Sequence, residues 1–237
     1  MGIGKFLKDH KFSYRAWMYY ELYIKNFRKK IKKYHSQHGE DKEIGKFFEK
    51  KTRGYYFDIG CFHPIRYSNT YHLFKRGWRG TNIDINKTSI DLFNIARPKD
   101  KNICAAISDT SNEVDFFEDD ILGPVNTIDN KMYKKSKNTF FKKGIIKKIK
   151  TYKIFDIVSE STLYEKTDFL NIDAEGSDYK IISQIDLKNS NISLVAIETH
   201  DPNENKLDDF NSISKYFENN RYLVHNRVGP TTLYTKK

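Results

Sequence analysis

Apolar and polar positions follow two periods along this chain. Trp17, Tyr20, Ile24, Phe27, Ile31 and Tyr34 recur at spacings of three and four, which is one face of a helix, and Lys25, Arg28, Lys29, Lys30, Lys32 and Lys33 fill the other faces. His35-Ser36-Gln37-His38-Gly39 breaks that helix, and Glu40 to Phe48 forms a second short one. Beyond it the chain reads as strands and helices in turn. Strands are predicted at Tyr55-Tyr56-Phe57, Thr81 to Asp84, Asn102 to Ile107, Val114 to Phe117, Asp168 to Asp173 and the strongly apolar Ile192 to Ile197. Helices are predicted at Lys87 to Ala96, Tyr179 to Ile185 and Lys206 to Asn219. Gly229-Pro230 splits a terminal hairpin, Arg221 to Val228 and Thr231 to Thr235. Such alternation predicts an α/β domain, a doubly wound, Rossmann-like sheet of seven strands with the last antiparallel. The expected organisation is a basic helical extension over 1–50 and one domain over 51–237.

The charge pattern singles out one more segment. Lys131, Lys134, Lys135, Lys137, Lys142, Lys143, Lys147, Lys148 and Lys150 crowd into residues 130–153 with Phe140 and Phe141, read as an insertion that is either a solvated surface or an anion-binding loop. The chain of 237 residues carries a net charge of +11 with 15% aromatic residues, which excludes a disordered chain. Lysine, asparagine and isoleucine are all abundant, so the charge alone does not indicate nucleic-acid binding; an anionic substrate accounts for it equally. Cys61 and Cys104 lack metal-ligand spacing and read as reduced thiols of a cytosolic protein. No signal-peptide run and no stretch of ~18 apolar residues is present, so no transmembrane segment is expected. The expected location is cytoplasmic. The amphipathic N-terminal helix either packs on the protein's own sheet, joins two subunits as a homodimer contact, or lies on the inner membrane surface.

Candidate chemistry begins after the first predicted strand. Tyr55-Tyr56-Phe57 leads into Asp58-Ile59-Gly60-Cys61-Phe62-His63-Pro64 and then Tyr67-Ser68-Asn69-Thr70. A strand, a carboxylate, a glycine and a helix in that order open a nucleotide-type site in α/β domains. Asp84 ends the second strand 84 − 58 = 26 residues later, near the spacing of about 20 residues at which a ribose-binding acid is expected. The Gly-x-Gly-x-x-Gly of a pyrophosphate site is absent. A bulky loop suits a cofactor without phosphates, and S-adenosylmethionine has that character: Asp84 for its ribose, Gly60 beside its methionine tail, Ser108-Asp109 at the third strand's end for its adenine.

Two later strand ends complete the set. The fourth closes in Asp173-Ala174-Glu175-Gly176 and the fifth in Glu198-Thr199-His200-Asp201. Alternate residues of an extended chain share a face, so Asp173 pairs with Glu175 and Glu198 with His200. Several carboxylates in one cleft raise one another's pKa unless a cation joins them. The readings are therefore a divalent metal on Asp173, Glu198 and His200, Fe²⁺ or Mn²⁺ before Mg²⁺ because of the imidazole, or a hydrogen-bonded acidic network without one. Glu175 is a fourth ligand or the base; His63 is a second candidate base, or it holds its loop by a hydrogen bond.

Asp58-Ile59-Gly60-Cys61-Phe62-His63-Pro64, Ser68-Asn69-Thr70, Gly77-Trp78-Arg79-Gly80, Ile83-Asp84 and Leu170-Asn171-Ile172-Asp173-Ala174-Glu175-Gly176 together resemble the FkbM family of S-adenosylmethionine-dependent methyltransferases over about residues 55–235. The resemblance implies O-methylation, frequently of sugar and polyketide-derived hydroxyls. It implies cofactor contacts at Asp58, Gly60 and Asp84, with Asn69 a further cofactor-binding candidate. It also puts Asp173 at the acidic end of the fourth strand, where metal-dependent small-molecule O-methyltransferases place a metal ligand. Gly176 stands where catechol-type enzymes carry a lysine base. Basic residues then favour a nucleotide-activated sugar as substrate, possible heptose chemistry for a capsule or lipopolysaccharide included, with the polymerised glycan as the near alternative. Nucleic-acid methylation lacks its Asn-Pro-Pro-Tyr-type loop after the fourth strand, so no nucleic-acid partner is expected. A non-catalytic adaptor is the reading from another class.

Overall fold

The computed structural model describes residues 11–25, 34–118, 122–123, 126–136 and 145–237. Five parallel strands form the centre: β1 (Tyr55–Ile59), β2 (Arg79–Asp84), β3 (Lys101–Cys104), β7 (Phe169–Ile172) and β8 (Leu194–Glu198). The terminal hairpin, β9 (Tyr222–Val228) and β10 (Thr231–Lys236), adds two more. The order is β3-β2-β1-β7-β8-β10-β9, with β10 antiparallel to both β8 and β9. This is a seven-stranded Rossmann-like sheet in which the last strand in sequence is inserted antiparallel.

Period-two alternation divides the core between the two faces. Phe57, Ile59, Ile83, Leu170, Ile172, Val195 and Ile197 pack with Ile181 and Ile182 of α7 (Asp178–Ile182) and with Ile213 and Phe217 of α8 (Phe210–Asn219). Tyr56, Trp78, Phe169, Leu194, Ala196 and Leu233 face the other way, onto Ile44 of α2 (Glu40–Phe47), Phe48 and Leu73 of α3 (Tyr71–Lys75). The apolar run Leu194 to Ile197 is buried throughout, as a central strand covered on both faces requires.

Two regions depart from the sequence expectation. Residues 130–153 are not one loop. They hold α5 (Asn130–Ser136) and β6 (Ile145–Tyr152), with α6 (Ile154–Ile157) directly after, and β6 joins a small second sheet of order β4-β6-β5 with β4 (Ala106–Ile107) and β5 (Glu113–Glu118). The strand expected over Asn102 to Ile107 is thereby split, because the chain leaves the main sheet after Cys104 to pair with β6. Lys148 forms an ion pair with Asp115 and Lys147 with Glu118, so a charge ladder accounts for two lysines; Lys131 pairs with Asp208. Lys137, Phe140, Phe141, Lys142 and Lys143 lie outside the described residues.

The N-terminal helix shows a rotated face. α1 (Lys11–Tyr19) continues as a π-helical turn over Tyr20–Ile24, and each i→i+5 step turns side chains away from a 3.6-residue stripe. Met18 and Leu22 are buried against Leu92 of α4 (Lys87–Ala96), with Tyr14 and Trp17 beside them. Tyr20 and Ile24 of the expected stripe point outward, as do Tyr19 and Tyr23. Glu21 takes an inward place because Lys25 and Arg66 neutralise it. Phe27 and Ile31 lie outside the described residues. Among the described residues no helix is long and apolar enough to cross a membrane.

Candidate active site

β1 leads one way to β2 and β3, while its other neighbour is β7, so the strand order reverses between β1 and β7. Doubly wound sheets open their ligand crevice at that point, beyond the carboxyl ends of the strands. A cavity of about 240 Å³ lies there. Its floor is Ile59 and Gly60 after β1, Ile83 to Asn86 after β2, Ala105 to Ile107, and Asp173 to Glu175 after β7; Gly123 and Asn126 to Ile128 cover one side.

Asp84 is the best-fixed acid on this wall. One carboxylate oxygen accepts from the backbone N–H of Phe62 at 2.8 Å and the other from that of Asn86 at 2.7 Å. Burial outweighs these bonds and pushes its pKa up to about 6. Asp84 also lines the cavity, and each of its oxygens keeps a lone pair beyond these two bonds. Gly60 also lines the cavity, but a further reason for glycine there is backbone packing: a Cβ would stand 1.7 Å from the Asp173 carbonyl oxygen, and φ is +75°.

Asp58 and Asn69 are not on the cavity wall. Alternation along β1 places Asp58 on the opposite face from Ile59, where Thr70 Oγ1 donates to it at 2.7 Å and Asn171 Nδ2 at 2.9 Å. Asn69 Nδ2 donates to Asn171 Oδ1. Arg97, which the sequence reading did not single out, is fully buried above this network. Its guanidinium donates to Thr70 Oγ1, Tyr56 Oη, Ser68 Oγ and the Pro64 carbonyl, and it lies over the rings of Phe93 and Phe74. Ser68, Asn69 and Thr70 thus tie the loop after β1 to the sheet from behind the cavity.

Ser108 and Asp109 lie beyond the wall formed by Ala105, Ala106 and Ile107. Ser108 has turned with β4 toward β6: its N–H donates to the Tyr152 carbonyl and its hydroxyl to Asp109. His63 is fully buried and outside the cavity lining; its Nδ1 accepts the N–H groups of Ile65 and Arg66 at 3.1 and 3.0 Å. Burial, with Arg66, Arg97 and Lys25 nearby, lowers its pKa well below the imidazole range. With Nδ1 occupied as an acceptor, Nε2 carries the proton, and the ring holds the loop.

The acids after β7 gather on the cavity's other side. Glu175 adopts a left-handed backbone, φ +47°, followed by Gly176 at +94°. Asp178 shapes this turn, accepting the N–H groups of Ala174 at 3.1 Å and Gly176 at 3.3 Å, and Thr127 Oγ1 donates to the Glu175 carbonyl at 2.7 Å. Burial and then the charge of Asp178 push the Glu175 pKa up to about 8. Asp173 is raised well above the carboxylate range by burial and by Glu198 and Glu175, and Glu198 likewise by burial and Glu175. These acids share protons as a group.

The expected metal trio does not assemble. His200 hydrogen-bonds Thr199 Oγ1 through Nδ1 at 2.8 Å and packs edge-on against Phe210. β8 ends at Glu198, so the alternation that would align His200 with Glu198 does not continue. Among the described residues no group of three His, Cys, Asp or Glu side chains could hold a metal ion.

Two further observations bear on a cofactor. Ser89 Oγ and Ser177 Oγ belong to residues lining the cavity, and both are buried without a hydrogen-bond partner, a state that a bound ligand relieves. The apolar wall of Ile85, Ala106 and Ile107 offers a slot for a planar base next to Asp84. Carboxylate, apolar slot and unpartnered hydroxyls fit a nucleoside without phosphates, such as that of S-adenosylmethionine.

The methyltransferase FkbM domain family matches residues 53–224. A crystal structure of a TehB-like SAM-dependent methyltransferase from Corynebacterium glutamicum ATCC 13032 Kitasato is similar at 12% identity with a TM-score of 0.44, over 92% of this chain and 97% of that one. No curated protein sequence matches the chain. The family match spans most of the chain, which therefore belongs to the FkbM methyltransferase domain family: it is an S-adenosylmethionine-dependent methyltransferase.

Proposed function

We propose that this chain methylates a sugar hydroxyl oxygen, with Glu175 as the base that takes the hydroxyl proton. The observation that carries the reading is that Glu175 lines the same cavity as Asp84 and Gly60, and burial with the charge of Asp178 raises its pKa to about 8. A sugar hydroxyl holds its proton tightly at neutral pH, and a base whose pKa lies near the working pH gives effective proton transfer.

When bound, S-adenosylmethionine supplies a methyl carbon activated by the positive sulfur, so the acceptor needs only alignment and loss of its proton. Asp84 is placed to accept from ribose hydroxyls with the lone pairs left over from Phe62 and Asn86. Ile85, Ala106 and Ile107 would enclose the base, and Ser89 and Ser177 would gain partners. Glu175 takes the proton into an acid group already built to hold one. The Asp178 carboxylate and Thr127 hydroxyl fix the turn that carries it. Apolar walls keep water from competing with the acceptor oxygen.

A nucleotide diphosphate on the sugar would need cationic partners. Lys131, Lys147 and Lys148 are already paired with acids, and Arg66 with Glu21, so that part of the substrate reading rests on Arg79 and on the other lysines of the cluster, of which Lys142 and Lys143 lie outside the described residues. The test is incubation of the full chain with S-adenosylmethionine and a panel of free, nucleotide-linked and polymeric sugars, read by mass spectrometry for the gain of one CH₂. Glu175→Gln should bind the cofactor and transfer methyl groups about 10²–10⁴-fold more slowly. Methylation of sugars by Glu175→Gln at the wild-type rate would remove the assignment.

A further inference from the structure

We infer that Phe62 and Tyr67 form a stacking platform for the apolar face of the acceptor's sugar ring, with the Gln37 amide at its edge; this rests on reading the cavity as a sugar methylation site. Five non-glycine residues among those described have a left-handed backbone, and three of them, Phe62, Tyr67 and Glu175, line this one cavity. Glu175 has its proposed chemistry. The two aromatic residues have none so far, and their conformation, φ +49° and +51°, is one that bulky side chains rarely adopt. Such outliers persist where the surroundings over-determine them, and they cluster at ligand sites.

The surroundings here do over-determine them. The Phe62 N–H is held by Asp84, the N–H groups of Ile65 and Arg66 by His63, the Pro64 carbonyl by Arg97, and the Ser68 N–H by the His35 carbonyl. A loop fixed at so many points holds its rings in place before any ligand arrives, which lowers the entropy lost on binding. The rings are not spent on the core. Tyr67 is 45% exposed although it lines the cavity, and Phe62 is half-buried. Their centroids are 6.1 Å apart with planes inclined at 34°, so the pair presents a shallow angled surface.

A pyranose has one face rich in C–H bonds and an edge of hydroxyls. Aromatic rings take the first by burial and weak C–H contacts. An amide, with a donor and an acceptor side by side, suits two neighbouring hydroxyls. Gln37 enters the cavity from the segment before α2, which Ser36 anchors by donating to Asp41 at 2.6 Å. The cofactor-facing features (Asp84, Ile85, Ala106 and Ile107) are separate residues, so acceptor and cofactor binding should respond to different substitutions.

The experiment is saturation-transfer NMR on the full chain loaded with S-adenosylhomocysteine, using methyl pyranosides of gluco, galacto and manno configuration and, separately, catechol. Saturation should concentrate on the ring C–H protons of at least one pyranoside. It should fall at least fivefold in Tyr67→Ala and Phe62→Ala and persist in Tyr67→Phe, while calorimetric affinity for S-adenosylhomocysteine stays within twofold. Equal pyranoside binding by wild type and both alanine variants, or parallel loss of S-adenosylhomocysteine affinity, overturns the platform. Binding of catechol but no pyranoside, dependent on Tyr67, would keep an aromatic platform and overturn its sugar specificity together with the sugar reading. Binding of neither probe to the loaded wild-type chain overturns the inference outright.

Discussion

Glu175→Gln is the perturbation that bears most directly on mechanism. The substitution keeps the size and one acceptor of the side chain but removes the proton-accepting carboxylate. With its pKa raised to about 8, Glu175 is mostly protonated at pH 7, so kcat should rise with pH through that region and level off above it. Removing a positioned base lowers kcat by about 10²–10⁴-fold, and Glu175→Gln should show that loss together with a flat profile. Asp178→Asn should move the wild-type limb to lower pH, since the Asp178 charge follows burial among the causes of the raised pKa. Stability carries a second signature. The folded pKa lies above the ordinary 4.5, so the native state retains a proton that the unfolded chain releases as pH rises above that value. Native stability contributed by this group is therefore intact below pH 4.5 and lost as pH climbs to about 8. Glu175→Gln should flatten that fall in urea denaturation. Steady-state rates from pH 6 to 10 with calorimetric cofactor binding make the assay. A Glu175→Gln enzyme within threefold of wild type, or a profile that keeps its limb, would refute the reasoning.

Other outcomes follow from the same geometry. Asp84→Asn should weaken S-adenosylmethionine binding by about 1–3 kcal/mol, the worth of charge-assisted hydrogen bonds, and unchanged calorimetric affinity would take Asp84 out of the cofactor site. Arg97→Ala should destabilise the fold by at least about 1–3 kcal/mol in urea denaturation, the cost of one buried acceptor left without its donor, because it strips four side-chain and backbone acceptors behind the cavity; a shift under 1 kcal/mol would show the loop to be held by other means. Treatment with a chelator should leave turnover within twofold, since His200 does not join Asp173 and Glu198; loss of turnover restored by Fe²⁺ or Mn²⁺ would show that the acids after β7 recruit a cation.

The sheet was legible in the sequence because period-two alternation and helix breaks are local. Even the antiparallel last strand could be read, from a terminal hairpin at Gly229-Pro230. Asp84 was legible as the acid that closes β2, since the position of a strand end fixes which crevice it faces. Glu175, by contrast, sits three residues past the end of β7 in a left-handed turn that alternation does not describe. Where the reading departed from the structure, the cause was non-local. His200 lies past the end of β8, where alternation has ceased, so the period was carried two residues too far. The exposure of Tyr20 and Ile24 follows from a π-helical turn that no spacing rule anticipates. The lysines of β6 looked like free positive charge because their partners, Asp115 and Glu118, belong to another strand some thirty residues earlier in the chain.

Asp58 and Arg97 show a deeper limit. The polar residues most easily recognised in and just after β1, Asp58 and Ser68-Asn69-Thr70, make their hydrogen bonds to one another, Asn171 and Arg97 on the face away from the cavity. Alternation from Ile59 would have placed Asp58 there, but a carboxylate beside a glycine turn invites a ligand-binding reading first. Nothing marks Arg97 in the sequence: a cation at a helix end normally faces solvent, and only the fold shows acceptors and aromatic rings gathered around it. A linear motif can therefore report the scaffold that holds a site as readily as the contacts within it. The loop's work in this protein is to hold Phe62 and Tyr67 in a backbone conformation they would not adopt alone. For that reason the polar network behind the cavity and the aromatic surface in front of it should fail together when Arg97 is removed, whereas Tyr67→Phe should disturb neither.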